Sequence, residues 1–152
     1  MNISEALVRE IVEKVVQTML AEPVSQPPAD DFIKCKDPSG ILMVKTDTVR
    51  CEPFGGVPGV ALKDIVTLQE APRMGAGIME LDHGAQFEWT LNYDEYDIVL
   101  DGTLEIKIDG RSVSGQCGDI IYIPKGSHIF FATPDHARYA YFVYPADWQS
   151  QG

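Results

Sequence analysis

Histidine is scarce in this chain, and so is positive charge. Three histidines stand among 152 residues, and 12 lysines and arginines face 23 aspartates and glutamates, a formal net charge of −11. Such a surface repels a phosphate backbone, so no nucleic-acid partner is expected. No apolar run approaches the roughly 20 residues that span a bilayer, so no membrane partner is expected either. Cysteine is limited to Cys35, Cys51 and Cys117, an odd number with no Cys-x-x-Cys pair. Glu10, Glu13 and Lys14 interrupt the first apolar stretch, so nothing there resembles a secretory signal. Reduced thiols in a cytoplasmic protein follow, with neither a disulfide framework nor a cysteine nucleophile favoured.

What is present fits one globular domain with an appendage. Hydrophobic residues make up 45% of the chain and charged residues 23%. The spacing predicts a helix over residues 2–20. Ile3, Leu7, Ile11, Val15 and Met19 recur every four residues, and Val8, Val12, Val16 and Leu20 widen the stripe. Asn2 and Glu5 have the spacing of a capping box. A helix of about 19 residues is marginal alone in water, so its apolar face needs a partner. That partner is its own domain, a second copy or a different protein. The stretch "EPVSQPPADD" carries Pro23, Pro27 and Pro28 with no apolar periodicity, which makes a linker. The expected organisation is therefore an interaction helix over 1–22, a linker over 23–40 and a β domain over 41–152.

From residue 41 the pattern is short strands with turn punctuation and no intervening helix. Asp109-Gly110 and Asp101-Gly102 both read as two-residue hairpin turns. Many short strands at regular spacing give an all-β sandwich or barrel. Two spacings narrow that choice. Six residues separate Glu95 from Gly102, and "GDIIYIPKG" places Gly118, Pro124 and Gly126 at fixed offsets. Over about residues 85–132 these resemble the two motifs of the cupin superfamily. The resemblance implies a double-stranded β-helix, or jelly-roll barrel, with a pocket inside.

A metal-binding cupin carries His-x-His, three or four residues, then Glu, and a further histidine three residues after the Pro-x-Gly glycine. With four residues before Glu95, the histidine positions fall on Glu88 and Thr90; the later one falls on Ile129. His128 is one residue early, and strand alternation turns it outward if Ile129 points in. Zinc, iron, nickel and copper want imidazole or thiolate ligands, so no tightly bound transition metal is expected. Glu95 remains a weak magnesium candidate, with magnesium shared by a phosphate ligand such as ATP.

Glu88, Glu95 and Asp97 converge if both strands turn those residues inward, and burial beside like charge then raises their pKa values and suits them to proton transfer. The alternative for Glu88 and Asp97 is solvent, or pairing with Lys107, Arg111 or Arg138. Tyr93 stands just before Glu95 and delivers a phenol to the mouth. Thr90, Tyr122, Lys125, Phe131 and Tyr141 are candidate substrate contacts, though core packing is the default for the aromatic residues. His83 and His136 fall in apparent loops and read as surface residues. "FGGVPG", residues 54–59, is a turn without the lysine of a phosphate loop.

Three longer stretches, "WTLNYDEYDIVLDGTLEI", "GDIIYIPKGSHIFF" and "YPADWQS", go further. They closely resemble the EutQ family, the ethanolamine-utilisation proteins of bacterial microcompartment operons, over roughly residues 40–150. The resemblance implies a cupin domain without metal histidines, association with a microcompartment, and acetate kinase activity interconverting acetate plus ATP with acetyl phosphate plus ADP. It also makes the helix over 2–20 look like a targeting segment that docks on shell or cargo proteins. Some related proteins carry a longer N-terminal region. Cupin barrels pair through strands, so a homodimer is expected. The residues themselves show no P-loop, kinase glycine loop or arginine cluster. A non-catalytic binding or assembly module stands beside the kinase reading, and a conventional metal cupin is disfavoured.

Overall fold

A computed structural model describes residue 6, residues 8–14 and residues 31–150. The chain divides into two compact units, Met1–Asp30 and Asp31–Gly152. In the first unit all the described residues are helical and exposed. They include Val8, Ile11 and Val12, each about half exposed at 48–54%. The remaining positions of the expected helix over 2–20, its capping box among them, lie outside the described residues.

The second unit is the expected β barrel. It begins at Asp31 rather than at residue 41. β1 (Lys34–Lys36) and β2 (Leu42–Val44) form a small antiparallel sheet of their own. Around it, Phe32 and Val49 join Ile65, Ile78 and Ala140 in a second apolar cluster. Ile78 and Ala140 belong to strands β5 (Gly75–Leu81) and β11 (Ala137–Tyr144), whose neighbouring residues Met79, Tyr139 and Tyr141 fill the main core. Residues 31–50 thus cover the outer side of that sheet. Arg138 secures them by donating to the carbonyls of Thr46 (2.6 Å) and Val49 (3.2 Å) while pairing with Glu80.

The remaining strands are β3 (Glu52–Pro53), β4 (Val60–Asp64), β6 (Gln86–Thr90), β7 (Asp94–Ile108), β8 (Arg111–Gln116), β9 (Ile120–Ile123) and β10 (His128–Ala132). β7 holds the barrel together. Its first half pairs with β11 and β9, and its second half pairs with β8 and β10. One sheet then continues through β11 to β5, β4 and β3, while the other ends on β6.

Two hairpins had been expected from Asp-Gly pairs, and only Asp109-Gly110 is one. There both residues have positive φ, 49° and 74°, and Ile108 pairs with Arg111. Asp101-Gly102 instead lies inside β7. Gly102, at φ 73°, bends the strand and shifts its phase. Before it the buried residues are Glu95, Asp97 and Val99; after it they are Leu104 and Ile106. A Cβ at Gly102 would stand 2.1 Å from the His136 carbonyl oxygen, so the bend also needs the close approach that only glycine allows.

The core is the barrel interior. Leu81, Leu91, Leu104, Ile129 and Tyr139 are among its fully buried members. Each such side chain contributes about 1.5–3 kcal/mol by burial.

Gly102→Ala is expected to lower stability by on the order of 2 kcal/mol or more, from clash and left-handed strain together. Gly110→Ala, with comparable φ but open space around it, should lose about 1 kcal/mol. Chemical denaturation of both variants checks the difference, and equal losses would mean that the bend does not depend on the close approach to His136.

Candidate functional site

Strand alternation decides which candidates meet. On β6, Phe87 and Trp89 turn toward the core, so Glu88 and Thr90 face outward. The pairing with β10 keeps the same phase, Phe87 opposite Phe131 and Trp89 opposite Ile129. His128 is therefore exposed beside Glu88, with Nε2 and Oε1 2.5 Å apart. The expected convergence of three carboxylates reduces to two, Glu95 and Asp97. Glu88 fails to join them because two bulky apolar residues own the inward positions of its strand.

The cupin spacing has a second solution that fits this phase. With three residues before Glu95 instead of four, the histidine positions fall on Trp89 and Leu91. Leu91 is fully buried and Trp89 half-buried against the core. Ile129, at the later position, is 1% exposed. All three imidazole positions are thus filled by apolar side chains. Among the described residues, no group of three His, Cys, Asp or Glu gathers to hold a metal.

The acid pair is the unusual feature of the interior. Glu95 is 5% exposed and Asp97 0%. Neither Asp97 oxygen has a hydrogen-bond donor. The Glu95 carboxyl lies close enough to act on it, and two ionised carboxylates offer each other only acceptors. A proton held between them makes one a donor and removes half of the charge. Burial pushes Glu95 up to about 7. Burial first, and the charge of Glu95 second, hold Asp97 well above the usual carboxylate range. Arg138, a candidate partner from sequence, is committed to Glu80.

Around Glu95 stand aromatic rings. Tyr93 is 3% exposed and its hydroxyl accepts from Trp89 Nε1 at 2.7 Å. Trp148, held in the short 3-10 turn Trp148–Ser150, packs on Trp89 (5.9 Å between centroids), Tyr93 (5.7 Å) and Tyr141 (6.1 Å). Tyr141 crosses Gly77, whose missing Cβ makes room for the ring, and donates to Asp64 Oδ1 at 2.5 Å. Phe131 stacks on Phe87 at 5.1 Å. The space left among these side chains is ≈ 20 Å³, room for one water.

The other candidates lie outside. Tyr122 is half exposed on the outer face of β9, its ring tilted against Tyr96 at 4.8 Å between centroids and its hydroxyl donating to Asp94 at 3.0 Å. An inward Tyr122 would need Ile121 and Ile123 to point out, and both are buried. Lys125 is exposed in its turn, where its backbone N–H donates to Asp94 at 2.9 Å. Cys51, whose thiol burial pushes up to about 12, is no thiolate nucleophile. Glu88, Thr90 and Tyr93 do meet, but in an open groove of ≈ 480 Å³ that also touches His128, Trp89 and Trp148. Trp89 and Trp148 are therefore the wall between groove and interior. Neither was singled out from the sequence, although the alternation of Phe87, Glu88, Trp89 and Thr90 places Trp89 inward.

A family model described as "Ethanolamine utilisation protein EutQ" matches residues 3–150. The chain belongs to the EutQ family. A relative from Clostridioides difficile (strain 630), named acetate kinase EutQ, is 47% identical, covering 99% of this chain and 94% of the relative. One of the same name from Salmonella typhimurium is 38% identical, and this chain spans only 64% of its length. Among solved structures, the Clostridium difficile EutQ protein matches with a TM-score of 0.76 at 52% identity, covering 80% of this chain and 93% of that one. A cupin domain of a transcriptional regulator from Enterobacter cloacae, at 18% identity and a TM-score of 0.51, shares the fold alone.

For the acid pair the sign of the pH dependence is fixed. A carboxyl whose folded-state value lies above its ordinary 4.5 stabilises the fold while protonated, so stability falls as pH rises from 4.5 to about 7. Asp97 extends the decline upward. One proton sets a slope of about 1.4 kcal/mol per pH unit. Glu95→Gln should flatten the decline, measured by denaturation from pH 4 upward; an unchanged slope would show that Glu95 takes up no proton on folding.

Proposed function

We propose that this chain is an acetate kinase-type phosphotransferase of ethanolamine utilisation. One observation carries the reading: a relative named acetate kinase EutQ shares 47% identity across 99% of the chain. In the forward direction an acetate oxygen attacks the γ-phosphorus of ATP. The new O–P bond forms as the bond to the β-phosphate oxygen breaks, and ADP leaves with that electron pair.

The open groove is the place for it. A volume of ≈ 480 Å³ is of ligand-pocket size, whereas the interior holds one water. Trp89 and Trp148 offer ring surface to a base. Thr90 and Asn92 offer hydrogen bonds to phosphate or carboxylate oxygens. Glu88, on the same groove, is the accessible carboxylate for a magnesium ion carried in with the nucleotide. Glu95 sits behind the tryptophan wall and acts on the reaction through the position of Tyr93.

A second reading rests on the first unit. Val8, Ile11 and Val12 are exposed on the described helix, the stripe that a partner protein would cover. In that reading the chain recruits microcompartment shell or cargo proteins through residues 2–20, and the barrel is a binding module. Homodimerisation fits either reading, through the exposed Ile120, Tyr122, Tyr96 and Phe142 on β9, β7 and β11.

Acetyl phosphate and ADP turnover, with and without magnesium, tests the first. Magnesium-dependent ATP formation is expected in wild type, reduced about tenfold or more in Glu88→Gln. Undiminished rates in both Glu88→Gln and Glu95→Gln would remove the carboxylates from the mechanism, and a silent wild type would sink the kinase reading. For the second, deletion of residues 1–22 should leave a soluble β unit that no longer co-purifies with shell proteins; retained co-purification would clear the helix of that role.

A further inference from the structure

Two open grooves lie on the outer face of the sheet formed by β6, β10, β7 and β8, and His128 lines both. The first is the groove of Trp89 and Trp148. Besides His128, it offers one charged side chain, the carboxylate of Glu88. The second has a volume of ≈ 490 Å³ and lies at the Asp109-Gly110 turn, where Lys107, Arg111, Ser112 and Phe130 line it. Its two cations meet one acid, Asp109, in a chain whose net charge is −11. By contrast, the groove beside Asp64 and Asp147 carries two acids and no cation.

Strand register joins the two grooves. Glu88 stands opposite Phe130, Phe130 opposite Lys107, and Lys107 opposite Ser112. All four are outward residues, since Phe87, Ile106, Ile129 and Phe131 hold the inward positions beside them. One row across four strands thus runs from the acid of the first groove to the cation and hydroxyl of the second. Neighbouring strands lie about 4.8 Å apart, so Glu88 and Lys107 are about 10 Å apart along the backbone row. The side chains leave donors over. Gln86 accepts one of the three N–H groups of Lys107, at 3.2 Å. Arg111 has a loose pair with Asp109 at 3.8 Å, both side chains more than two-thirds exposed, and such a pair holds an arginine weakly. His128 is fixed on the border by Glu88, at 2.5 Å.

A nucleotide in the first groove finds ring surface for its base, but its phosphates meet Glu88 and no lysine or arginine there. Magnesium on Glu88 answers part of their charge, and fixed cations must answer the rest. Past His128 those cations are Lys107 and Arg111. We propose that the groove of Lys107, Arg111 and Ser112 binds the phosphate chain of a nucleotide. Lys107 and Arg111 donate charge-assisted hydrogen bonds to the phosphate oxygens, and the Ser112 hydroxyl donates a neutral one. The inference rests on the kinase reading for its ligand and adds the cations that reading lacks. A free polyphosphate presents the same chemistry to the same three side chains.

The purified full-length chain is titrated in a calorimeter with tripolyphosphate, ATP and adenosine at constant ionic strength, with and without magnesium chloride. Saturable binding of tripolyphosphate and of ATP is expected. Lys107→Gln and Arg111→Gln should each weaken both about tenfold, the loss of one charge-assisted hydrogen bond, and leave adenosine unchanged. Both substitutions are on the outer face, so neither disturbs the packing of the core. Lys45→Gln, which removes an exposed lysine outside the groove, should change nothing. Wild type that binds no tripolyphosphate overturns the proposal. So does unweakened binding in both groove variants, or equal weakening in Lys45→Gln, which would trace the effect to net charge alone. These titrations need no turnover. A chain that binds ATP through Lys107 and Arg111 yet makes none from acetyl phosphate and ADP fails the kinase reading and keeps this site. Turnover with an unaltered KM for ADP in both variants keeps the kinase reading and removes the site.

Discussion

Everything inside the barrel depends on the phase of β7. A strand shows alternate residues to opposite faces, so one inward residue determines the rest until something shifts the count. On β7 the inward set starts with Glu95, Asp97 and Val99 and resumes, after Gly102, with Leu104 and Ile106. The apolar members hold the carboxylates in place. Turning the first half over to free Glu95 and Asp97 would expose Val99 and bring Tyr96 and Ile98 inward. It would also break the ladder that joins this half to β11 and β9. The fold thus accepts two buried acids because the surrounding strands leave them no alternative face.

The same constraint explains why no metal-like cluster gathers among the described residues. The inward positions that could offer imidazole carry Trp89, Leu91 and Ile129. These residues are not passive replacements. Trp89 donates to Tyr93 and packs against Trp148, so that the space in front of Glu95 is taken up by rings. What remains of the motif is Glu95, now with a second carboxyl behind it. An interior of this kind suits two carboxyls that share a proton.

The barrel was legible in the sequence because its signals are local: strand-length apolar alternation, turn residues, and the spacing around Gly118, Pro124 and Gly126. Glu95, Asp97 and Val99 have one parity, which put them on one face of the strand but left open whether that face turns inward. The placement of Glu88 was not legible, because the motif allows two spacings and only the apolar pair Phe87 and Trp89 distinguishes them. Gly102 was read as a turn since Asp-Gly favours positive φ; whether a chain then reverses or merely bends depends on what it pairs with afterwards, here β8 and β10. Trp148 lies far from β6 in sequence, and its role as a wall beside Trp89 exists only in the closed barrel. The start of the β unit at Asp31 was hidden for a similar reason. Phe32 and Val49 belong to it through contacts with Ile65, Ile78 and Ala140, not through any periodicity of their own.

The two sides of the tryptophan wall differ in what they can admit. An acetate or a phosphate brought into the interior would meet Glu95 and Asp97 with no cation between them, an arrangement that costs several kcal/mol in a dry site. The same anions in the groove meet Thr90 and Asn92 beside solvent, where Glu88 is exposed and already paired with His128, so its charge is screened. On the kinase reading proposed above, acetate and phosphate are therefore met in the groove and not in the interior. Trp89, Tyr93 and Trp148 line both spaces, so a shift of any one of the three changes both at once.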